Sequence, residues 1–350
     1  MKTSLMIIFG GSSNEHEVSL RSAAAVIKNT DRSKYELICM GITKGGEWYI
    51  YNGPASKIQN GEWEGDLKNL THVAIVPNGK RSTFLCLSGS MKQIRPDVIF
   101  PVVHGQNCED GRLQGRRDLL EIPYVGCGCF SSALCMDKAA TKSLLENLSV
   151  PMAKWELVKK DEISPSLFKR LEKNIGYPMF VKPSNSGSSV GAAKAQNEKE
   201  LCDALTLAAE VDEKILVEEY IDGREVEIAV LDTKKTVVSC TGEIEAGAVF
   251  YDYDTKYKNN TAKYFMPARI KPETEAHIRE LALKIFRALD CRDFSRVDFF
   301  VTHDEKIIFN EINTLPGFTS ISMYPKLMDR SGVQFPLLID ELVTEALRRK

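Results

Sequence analysis

The sequence predicts an α/β fold for the N-terminal part of the chain and an α+β fold for the remainder. Residues 4–9 form an apolar run that ends at Gly10-Gly11, and a segment at 17–28 with apolar positions among polar ones follows it. A second apolar run lies at 98–103, and from Tyr177 onward the pattern turns to strands. Because strands that alternate with helices form parallel sheets, we expect a parallel sheet in the N-terminal part.

The composition is that of a globular protein without an excess of either charge. The 350-residue chain carries 46 Lys and Arg against 48 Asp and Glu, a formal net charge of −2. Proteins that bind nucleic acid usually carry a basic excess, so a nucleic-acid partner is not expected. The longest apolar runs are far shorter than the ~20 residues that cross a bilayer, so no membrane segment is expected either.

Cysteine usage indicates a reducing compartment. The nine cysteines are scattered along the chain without the regular spacing of a secreted disulfide scaffold, so we expect a cytoplasmic protein. Cys127, Cys129 and Cys135 could belong to a metal site. However, neither a C-x-x-C pair nor a nearby histidine completes one, and buried free thiols are the better interpretation.

The N-terminal elements are predicted from these runs and from turn residues. Strands are expected at 4–9, 73–76 and 98–103, with a helix at 17–28. A turn rich in Gly and Cys at 123–130 precedes a predicted helix at 131–146, which carries Lys138 and Lys142 on one side. The change of pattern indicates a domain boundary near residue 135.

The later elements are mostly strands. They are expected at 179–182, 215–220, 225–231 and 237–244, with a helix at 198–209. The polar, Tyr-rich stretch 250–264 is too long for an ordinary connection and indicates a lid. Helical spacing of apolar residues predicts an amphipathic helix through Ile278, Leu281, Ala282, Ile285, Phe286 and Leu289. Two further strands flank a polar turn at 303–305, as in a β-hairpin.

This hairpin is the segment that says most about chemistry. Strand alternation places on one face Arg296, Asp298 and Phe300 of the first strand, and on one face of the second strand Ile307, Phe309, Glu311 and Asn313. Two carboxylates and an amide therefore project from apolar strands, and such hard oxygen donors suit Mg²⁺. The alternative is a salt bridge between Arg296 and Asp298 on an exposed sheet face.

A loop rich in Gly and Ser at 184–191 follows the strand that ends at Lys182. Its backbone N–H groups and hydroxyls could bind a phosphate, with Lys182 adding charge. The P-loop and Rossmann signatures are missing, so a solvated surface loop is the alternative. Glu218 and Glu225 flank a turn and could accept hydrogen bonds from a ribose or an amine, unless both are simply exposed.

Two loops at the ends of predicted parallel strands are further candidates. Gly10-Gly11 leads into Glu15 after the first strand, and His104 and Glu109 follow the strand that ends at Val103. Ligands of open α/β sheets bind at the carboxyl ends of strands, so both loops could contact a ligand. Ordinary turns are the alternative.

Taken in order, these segments closely resemble the D-alanine:D-alanine ligase family of ATP-grasp enzymes. The matching segments are GGSSNEHEVSL (10–20), HGQNCEDGRLQG (104–115), PYVG with SALCMDKAATK (123–142), FVKPSNSGSSVG (180–191), VEEYIDGREVE (217–227), FYDYDTKY (250–257) and SRVDFF with FNEINTLPGFTSISMYP (295–325). The match runs nearly end to end and keeps the family's order.

The resemblance implies a three-domain ATP-grasp enzyme that ligates two D-alanines for peptidoglycan synthesis, with ATP and Mg²⁺ or Mn²⁺. The implied domains are a parallel-sheet N-terminal domain at 1–135, a central domain at 136–218, and a C-terminal domain at 219–350 with a lid loop at 246–262. A cytoplasmic homodimer is implied, whose partners are the small molecules D-alanine and ATP.

Motif positions imply the roles of individual residues. Those implied to bind the nucleotide are Lys138, Lys182, Ser189, Glu218, Glu225 and Lys256, and those implied to hold the metal ion are Asp298, Glu311 and Asn313. The implied catalytic residues are Glu15, which would bind the ammonium of the first D-alanine in a hydrogen-bond chain with Ser188 and Tyr257, and Arg296, which would stabilise the charged intermediate. Other residues implied to contact the amino acids are His104, Gly317, Ser322 and Met323.

The chemistry behind these roles starts from a carboxylate, which is a poor electrophile. The first D-alanine is therefore expected to be activated by phosphoryl transfer from ATP to an acyl phosphate, with cations neutralising the phosphate charge. The deprotonated amine of the second D-alanine then attacks, and the oxyanion that forms needs a fixed cation.

The second amino acid is expected to be D-alanine, with D-serine as the alternative. In the related vancomycin-resistance ligases that use D-serine or D-lactate, the position of Met323 is typically Arg and that of Val190 typically Phe. At both positions this chain follows the D-alanine pattern instead. The segment GITKGGEWY (41–49) also occurs in relatives of the D-serine type. One further departure is Cys108, which stands where the HGxxGEDG motif usually has glycine and puts a positive-φ turn there in doubt.

Overall fold

Three β-sheets with flanking helices make up the computed structural model, which describes residues 2–78, 82–87, 91–245, 263–319 and 321–349. The strands are β1 (Thr3–Gly10), β2 (Tyr35–Ile42), β3 (Trp48–Tyr51), β4 (Leu70–Val76), β5 (Thr83–Cys86), β6 (Gln93–Ile94), β7 (Val98–Pro101), β8 (Trp155–Lys159), β9 (Met179–Pro183), β10 (Ala193–Ala195), β11 (Lys214–Glu219), β12 (Gly223–Asp232), β13 (Thr236–Glu245), β14 (Lys263–Phe265), β15 (Asp293–Thr302) and β16 (Ile307–Asn313).

The α-helices are α1 (His16–Asn29), α2 (Ala55–Gln59), α3 (Arg112–Leu120), α4 (Cys129–Met136), α5 (Lys138–Glu146), α6 (Pro165–Asn174), α7 (Glu198–Ala209), α8 (Pro272–Ala288), α9 (Met323–Arg330) and α10 (Phe335–Arg348). Among the residues described, no helix combines the length and the apolar character that crossing a membrane requires.

The first sheet is mixed and has the order β6-β5-β4-β3-β2-β1-β7. β1 pairs in parallel with β2 and β7, and α1 forms the crossover between β1 and β2. The predicted strand at 73–76 lies in β4, which is antiparallel to both of its neighbours. The expectation that it joins the parallel pairing is therefore wrong. The connection from β4 to β5 is too short for the crossover that parallel neighbours need, and β3, the other neighbour of β4, itself pairs antiparallel with β2.

The helix predicted at 131–146 is two helices in the structure, α4 and α5, which are separated at Asp137. The backbone of Asp137 is extended (φ −82°, ψ 96°), and its Oδ1 accepts a hydrogen bond from Ala140 N at 3.1 Å. Aspartate in this N-cap position stabilises the start of a new helix, which explains the break. Lys138 is therefore the first residue of α5, and Lys142 lies about one turn further along the same face.

The second sheet is antiparallel throughout, in the order β10-β9-β11-β8. The strands predicted at 179–182 and 215–220 correspond to β9 and β11, and the predicted helix at 198–209 has the bounds of α7. Asn197 caps α7, because its Oδ1 accepts a hydrogen bond from Glu200 N at 3.0 Å. Helices α6 and α7 bury their apolar faces in the core of this sheet.

The third sheet is also antiparallel and has the order β14-β13-β12-β15-β16. It contains the two strands predicted at 225–231 and 237–244 and the predicted hairpin, whose turn closes with Thr302 N donating to Lys306 O at 3.0 Å. The amphipathic helix is α8, which packs its apolar face against this sheet. Residues 246–262, where a lid is expected, lie outside the described residues.

The hairpin of β15 and β16 contains a bulge that strand alternation does not anticipate. Asp298 lies opposite Glu311, but the next residue, Phe299, lies opposite Phe309, so Asn310 is an extra residue in β16. An extra residue of this kind breaks the alternation of side chains along the bulged strand.

The bulge separates residues that were expected to share a face. Ile307 and Phe309 are buried in the hydrophobic core, whereas Glu311 and Asn313 line cavities on the opposite face of the sheet. The prediction that all four project from one face is therefore wrong. Because the bulge at Asn310 precedes them, the carboxylate of Glu311 and the amide of Asn313 face the cavities and not the hydrophobic core.

Candidate active site

A cleft lies between the second and third sheets, and a second cavity, here called the side pocket, lies next to it. The cleft is lined by β9, β11 and the 184–191 loop on one side and by β12, β15 and β16 on the other. The side pocket is lined by Glu15, His104 and residues between 313 and 323. Four residues line both cavities, namely Ser188, Glu227, Arg296 and Glu311. The two cavities therefore share a wall.

Glu218 is the centre of a buried ion cluster at the floor of the cleft. It is only 5% exposed, and its two oxygens lie 2.5 Å from Lys142 Nζ and 2.6 Å from Lys182 Nζ. Burial alone would raise the pKa of this carboxyl, but the charges of Lys142 and Lys182 hold the pKa of Glu218 at about 2. The alternative that Glu218 is exposed is therefore wrong.

Lys138 and the 184–191 loop are held together at the edge of the cleft. Lys138 Nζ donates to Ser186 O at 2.6 Å and lies 3.4 Å from Glu311 Oε2. Ser188 and Ser189 both have positive φ, 50° and 58°, a conformation that costs free energy for residues other than glycine and is often found at functional sites. All eight residues of the loop are buried or half-buried, so the solvated-loop alternative does not hold.

The three oxygen-bearing residues of the hairpin converge at the shared wall. Asp298 and Glu311 are opposite each other in the sheet, and Asn313 Nδ2 donates to Asp298 Oδ2 at 3.0 Å. Among the described residues, no group of three or more His, Cys, Asp or Glu is arranged to hold a metal. A set of two acids and one amide nevertheless fits Mg²⁺, which usually takes one or two carboxylates and completes its shell with water and phosphate oxygens.

Arg296 lies between two acids and is paired with both and half-buried. Its guanidinium makes two hydrogen bonds to Asp298, at 2.7 and 2.6 Å, and its Nε lies 3.1 Å from Glu227 Oε2. Burial alone would lower the pKa of Arg296, but the charges of Asp298 and Glu227 raise it well above its usual value. The salt bridge considered as the alternative to a metal site is present, but Asp298 is only 8% exposed and not on an exposed face.

Glu15 immediately precedes α1 and directs its carboxylate into the side pocket. Its Oε1 accepts a hydrogen bond from Ser188 Oγ at 2.5 Å, so two residues predicted to act together are in contact. Its Oε2 is enclosed by glycine backbone, because a Cβ at Gly105 or Gly187 would lie 2.8 or 2.7 Å from that oxygen. These two glycines therefore leave the space that the carboxylate occupies.

His104 lines the side pocket with both ring nitrogens already hydrogen bonded. Its Nε2 lies 3.2 Å from Ser22 Oγ and its Nδ1 lies 2.9 Å from Leu315 O. Burial lowers the pKa of His104, so the ring is neutral. Since a carbonyl can only accept, Nδ1 carries the proton and donates it to Leu315, which fixes the tautomer.

The far wall of the side pocket comes from the segment before α9 and from its first residue. Ser322 Oγ lies 2.7 Å from Thr319 Oγ1, and a Cβ at Gly317 would lie 2.7 Å from the same Ser322 oxygen. Met323 is buried against Gly242, where a Cβ would approach its sulfur to 2.7 Å. The predicted residues Gly317, Ser322 and Met323 thus lie together, with Met323 giving the wall apolar character.

The remaining predicted residues are at the cleft or outside the described part. Ser189 and the half-buried Glu225 line the cleft, as does Val190. Tyr257 and Lys256 lie outside the described residues, so their roles stay predictions.

Three residues of the site were not singled out from the sequence as site residues. Glu227 pairs with Arg296, Lys142 pairs with Glu218, and Asn310 Oδ1 accepts a hydrogen bond from Lys182 Nζ at 3.1 Å. Glu227 lies two residues after Glu225 in a predicted strand, so alternation could have placed both on one face. The sequence contains no comparable signal for the other two pairs.

The loop at 104–111 forms its turn although position 108 is a cysteine and not the glycine that the family motif usually has. Positive φ falls on Gly105 (76°), Asn107 (67°) and Gly111 (90°), so the doubt about Cys108 is resolved. Cys108 is buried, and burial raises the pKa of its thiol to about 12. The next residue, Glu109, lines the side pocket, where burial and then the charge of Glu15 raise its pKa to about 8.

Comparison with family models gives two matches that together cover most of the chain. The model described as D-ala D-ala ligase N-terminus matches residues 4–127, and the model described as D-ala D-ala ligase C-terminus matches residues 144–344. Both matched regions contain residues of the cleft or the side pocket.

Relatives with assigned names are similar over the full chain. A D-alanine–D-alanine ligase of Acetivibrio thermocellus is 45% identical and covers 99% of this chain and 96% of its own. One from Clostridium acetobutylicum is 46% identical and covers 100% of this chain and 99% of its own. Among solved structures, the VanG D-Ala:D-Ser ligase of Enterococcus faecalis has a TM-score of 0.91 at 43% identity, with 99% and 100% coverage. The D-alanine-D-alanine ligase of Coxiella burnetii has a TM-score of 0.86 at 32% identity, with 99% and 96% coverage.

Proposed function

The chain belongs to the D-alanine–D-alanine ligase family of ATP-grasp enzymes, and we propose that its cleft and side pocket join two D-alanines into D-alanyl-D-alanine. The reaction is ATP-dependent and forms ADP, and it serves peptidoglycan synthesis. We assign the cleft to the nucleotide and the side pocket to the amino acids.

The wall shared by the two cavities is the observation that carries this proposal. Arg296, Ser188, Glu227 and Glu311 line both spaces. Phosphoryl transfer to a carboxylate requires the terminal phosphate and the carboxylate to be close and in line. A nucleotide in the cleft and an amino acid in the side pocket would meet at this wall.

In the first step, a carboxylate oxygen of the first D-alanine attacks the terminal phosphorus of ATP. The bond from that phosphorus to the bridging oxygen of ADP breaks, and an acyl phosphate forms. Lys138 and Lys182 line the cleft and would neutralise the phosphate charge, while the Glu15 carboxylate would bind the ammonium of the amino acid. Ser188, which donates a hydrogen bond to Glu15, would keep that carboxylate in place.

In the second step, the neutral amine of the second D-alanine attacks the acyl carbon. The carbonyl oxygen becomes an oxyanion, whose collapse re-forms the carbonyl and breaks the carbon–oxygen bond to phosphate. The proton that the attacking amine loses leaves with the released inorganic phosphate. Arg296 would stabilise the oxyanion, because its guanidinium is positively charged and lies at the shared wall. The apolar surface of Met323 would contact the methyl group of the incoming amino acid.

The family generally uses divalent metals, and we assign the ion to Asp298, Glu311 and Asn313. Mg²⁺ or Mn²⁺ bound there would neutralise phosphate oxygens and act as a Lewis acid. The contact of Glu311 with Lys138 supports this assignment, because both would then face the same phosphate group.

Glu311→Gln is expected to raise the Mg²⁺ concentration needed for half-maximal activity. An increase of about 10-fold or more is expected, since even residues that only support metal ligands have effects of about 10- to 100-fold. Activity is measured against Mg²⁺ at fixed ATP, and Mn²⁺ binding by electron paramagnetic resonance. Glu225→Gln, on the same cleft but away from the hairpin ligands, should leave the metal requirement unchanged. An unchanged requirement in Glu311→Gln would mean that the metal lies elsewhere.

The second amino acid could be D-alanine or D-serine, and we propose D-alanine. The similarity to the VanG D-Ala:D-Ser ligase favours D-serine, whereas the buried thioether of Met323 favours a methyl group over a hydroxyl. Two residues, Met323 and Val190, follow the pattern expected of the D-alanine type.

Competition between the two acceptors tests the activity and the specificity together. With ATP, Mg²⁺ and equal D-alanine and D-serine, phosphate release is expected to depend on D-alanine, and D-alanyl-D-alanine to exceed D-alanyl-D-serine by about 10- to 100-fold. Met323→Arg should shift this product ratio toward D-serine, and Met323→Leu should leave it unchanged. Phosphate release that does not respond to D-alanine would refute the ligase proposal, and an excess of D-alanyl-D-serine would refute the acceptor assignment.

We also retain the domain boundaries, the assembly and the location as proposals. The boundaries near 135 and 218 are supported by the three sheets, which span residues 3–101, 155–219 and 223–313. The nine cysteines are all free thiols, which supports a cytoplasmic location. A homodimer is proposed from the family resemblance alone.

A further inference from the structure

The ion cluster around Glu218 contains one more cation than its carboxylate can neutralise. Glu218 pairs with Lys142 at 2.5 Å and with Lys182 at 2.6 Å. Two ammonium groups and one carboxylate leave one positive charge in excess within this cluster, and Glu311, the other carboxylate that acts on Lys142, already lies 3.4 Å from Lys138 Nζ. Buried charges without a full complement of partners are unfavourable, so this excess indicates that an anion completes the cluster.

The two lysines differ in what else they can reach. Lys142 lies on α5 and is only 1% exposed, and among the described residues its ammonium has no hydrogen-bond acceptor apart from the nearby Glu218 carboxylate. The ring of Phe309 lies 5.9 Å from the same ammonium and encloses it further. Lys182, by contrast, lines the cleft and also donates a hydrogen bond to Asn310. Lys182 can therefore contact a ligand in the cleft.

We propose that Lys142 is a positioning residue that keeps Glu218 paired, so that Lys182 can leave Glu218 for a nucleotide phosphate. Without Lys142, the departure of Lys182 would leave a buried carboxylate without a cation, which strongly opposes the movement. With Lys142 in place, Glu218 exchanges two partners for one and stays neutralised. This inference rests on the proposed nucleotide site, which it extends to a residue that does not contact the nucleotide.

The exchange also explains why three lysines serve this part of the cleft. Lys138 already has an acceptor in Ser186 O and an acidic neighbour in Glu311. Lys142 holds Glu218 permanently, and Lys182 is the member whose partner changes when a phosphate arrives. A Lys182 held only by Glu218 would have to break its sole buried ion pair to bind ATP.

Nucleotide affinities of Lys142→Met test the inference. Methionine is similar in length and apolar, so it suits the buried position beside Phe309. Lys182 then becomes the only cation for Glu218, and ATP affinity is expected to fall by about 10- to 100-fold, the range for loss of a charge-assisted hydrogen bond. The affinity for adenosine, which has no phosphate, should stay unchanged. Isothermal titration calorimetry measures both, with thermal unfolding as the check on folding.

A double variant separates positioning from a merely structural role. In Lys142→Met/Glu218→Gln, the carboxylate charge is gone and Lys182 is free again, so the ratio of ATP to adenosine affinity is expected to return toward the wild-type value. A folding defect would instead weaken both ligands and would not be rescued by a second core substitution. Lys142→Arg, which keeps the charge, should retain most of that ratio.

A structure of the wild-type protein provides a test that needs no variant. With Mg²⁺ and a non-hydrolysable ATP analogue bound, Lys142 is expected to remain paired with Glu218, and Lys182 to lie beyond about 3.5 Å from Glu218 and against a phosphate. Lys182 still paired with Glu218, or equal losses of ATP and adenosine affinity in Lys142→Met, would overturn the proposal. These measurements concern binding only, so they remain informative if the acceptor assignment or the ligase activity is wrong.

Discussion

Arg296→Ala is expected to lower kcat by about 10²- to 10³-fold, the effect typical of removing one preorganised group that stabilises an oxyanion. The guanidinium lies where the two cavities meet, held by Asp298 at 2.6 and 2.7 Å and by Glu227 at 3.1 Å. Because these contacts orient it before any substrate binds, its loss should affect the reaction step more than ATP binding. Steady-state kinetics with saturating ATP and D-alanine measure the change.

The same substitution is expected to destabilise the fold. It removes the guanidinium that pairs with the buried carboxylates of Asp298 and Glu227, which should lower the free energy of unfolding by about 3 kcal/mol. Urea unfolding measures this loss, and assays are made below the denaturation range. Arg296→Lys retains the charge but cannot make two parallel hydrogen bonds, so it should recover stability more fully than kcat. A kcat for Arg296→Ala close to that of the wild type would contradict the role of Arg296 as oxyanion partner.

Glu15→Gln is expected to reduce ligation by about 100-fold while ATP binding is retained. The amide keeps the size of the side chain and can still accept the hydrogen bond from Ser188. It lacks the negative charge that pairs with the ammonium of the first D-alanine, and a hydrogen bond to a charged group contributes about 1.5–3 kcal/mol. The KM for D-alanine and the affinity for ATP, measured separately, should show that only the amino-acid site is affected.

A neighbouring glutamate provides a matched control. Glu17 lies two residues away and forms a salt bridge with Lys44 in which its side chain is 45% exposed. Glu17→Gln should therefore leave ligation unchanged, since exposed ion pairs contribute little. If Glu15→Gln were as active as this control, the first D-alanine would have to bind elsewhere.

Sequence reasoning was most successful where a local pattern determines a local structure. The buried strand β1 and the helix after it, the amphipathic helix α8 and the hairpin turn all follow from periodicity and turn residues. The contact between Ser188 and Glu15 was expected only from the family resemblance, since no local pattern links residues 173 positions apart.

Errors arose where one residue changes a pattern. The extra residue Asn310 shifts the register of β16, and alternation cannot reveal such a bulge because it assumes an uninterrupted strand. Asp137 similarly ends one helix and starts another within a run that remains apolar and helical in composition. In both cases the deviation determines how site residues, Glu311 and Lys138, are presented.

Charge partners were the other feature that the sequence did not reveal. Lys142 and Glu218 are far apart in the chain and become neighbours only in the fold, where the side chain of Lys142 on α5 reaches Glu218 on β11. A single sequence shows which residues are charged but not which of them pair. A buried Glu218 with two lysine partners and an exposed Glu218 therefore look the same at the level of sequence. Its partners explain how a carboxylate can be tolerated there.

The hydrogen bond from Ser188 to Glu15 joins a loop of the second sheet to the start of the first helix of the chain. Occupation of the side pocket would therefore restrain two segments that are attached to different sheets. Local opening of either segment would break the contact, so amide hydrogen exchange at both should slow together when an amino acid binds. The affinity for the first substrate should thus depend on the stability of the contact between Ser188 and Glu15. A mutation that destabilises either segment should weaken binding although the mutated residue does not contact the ligand.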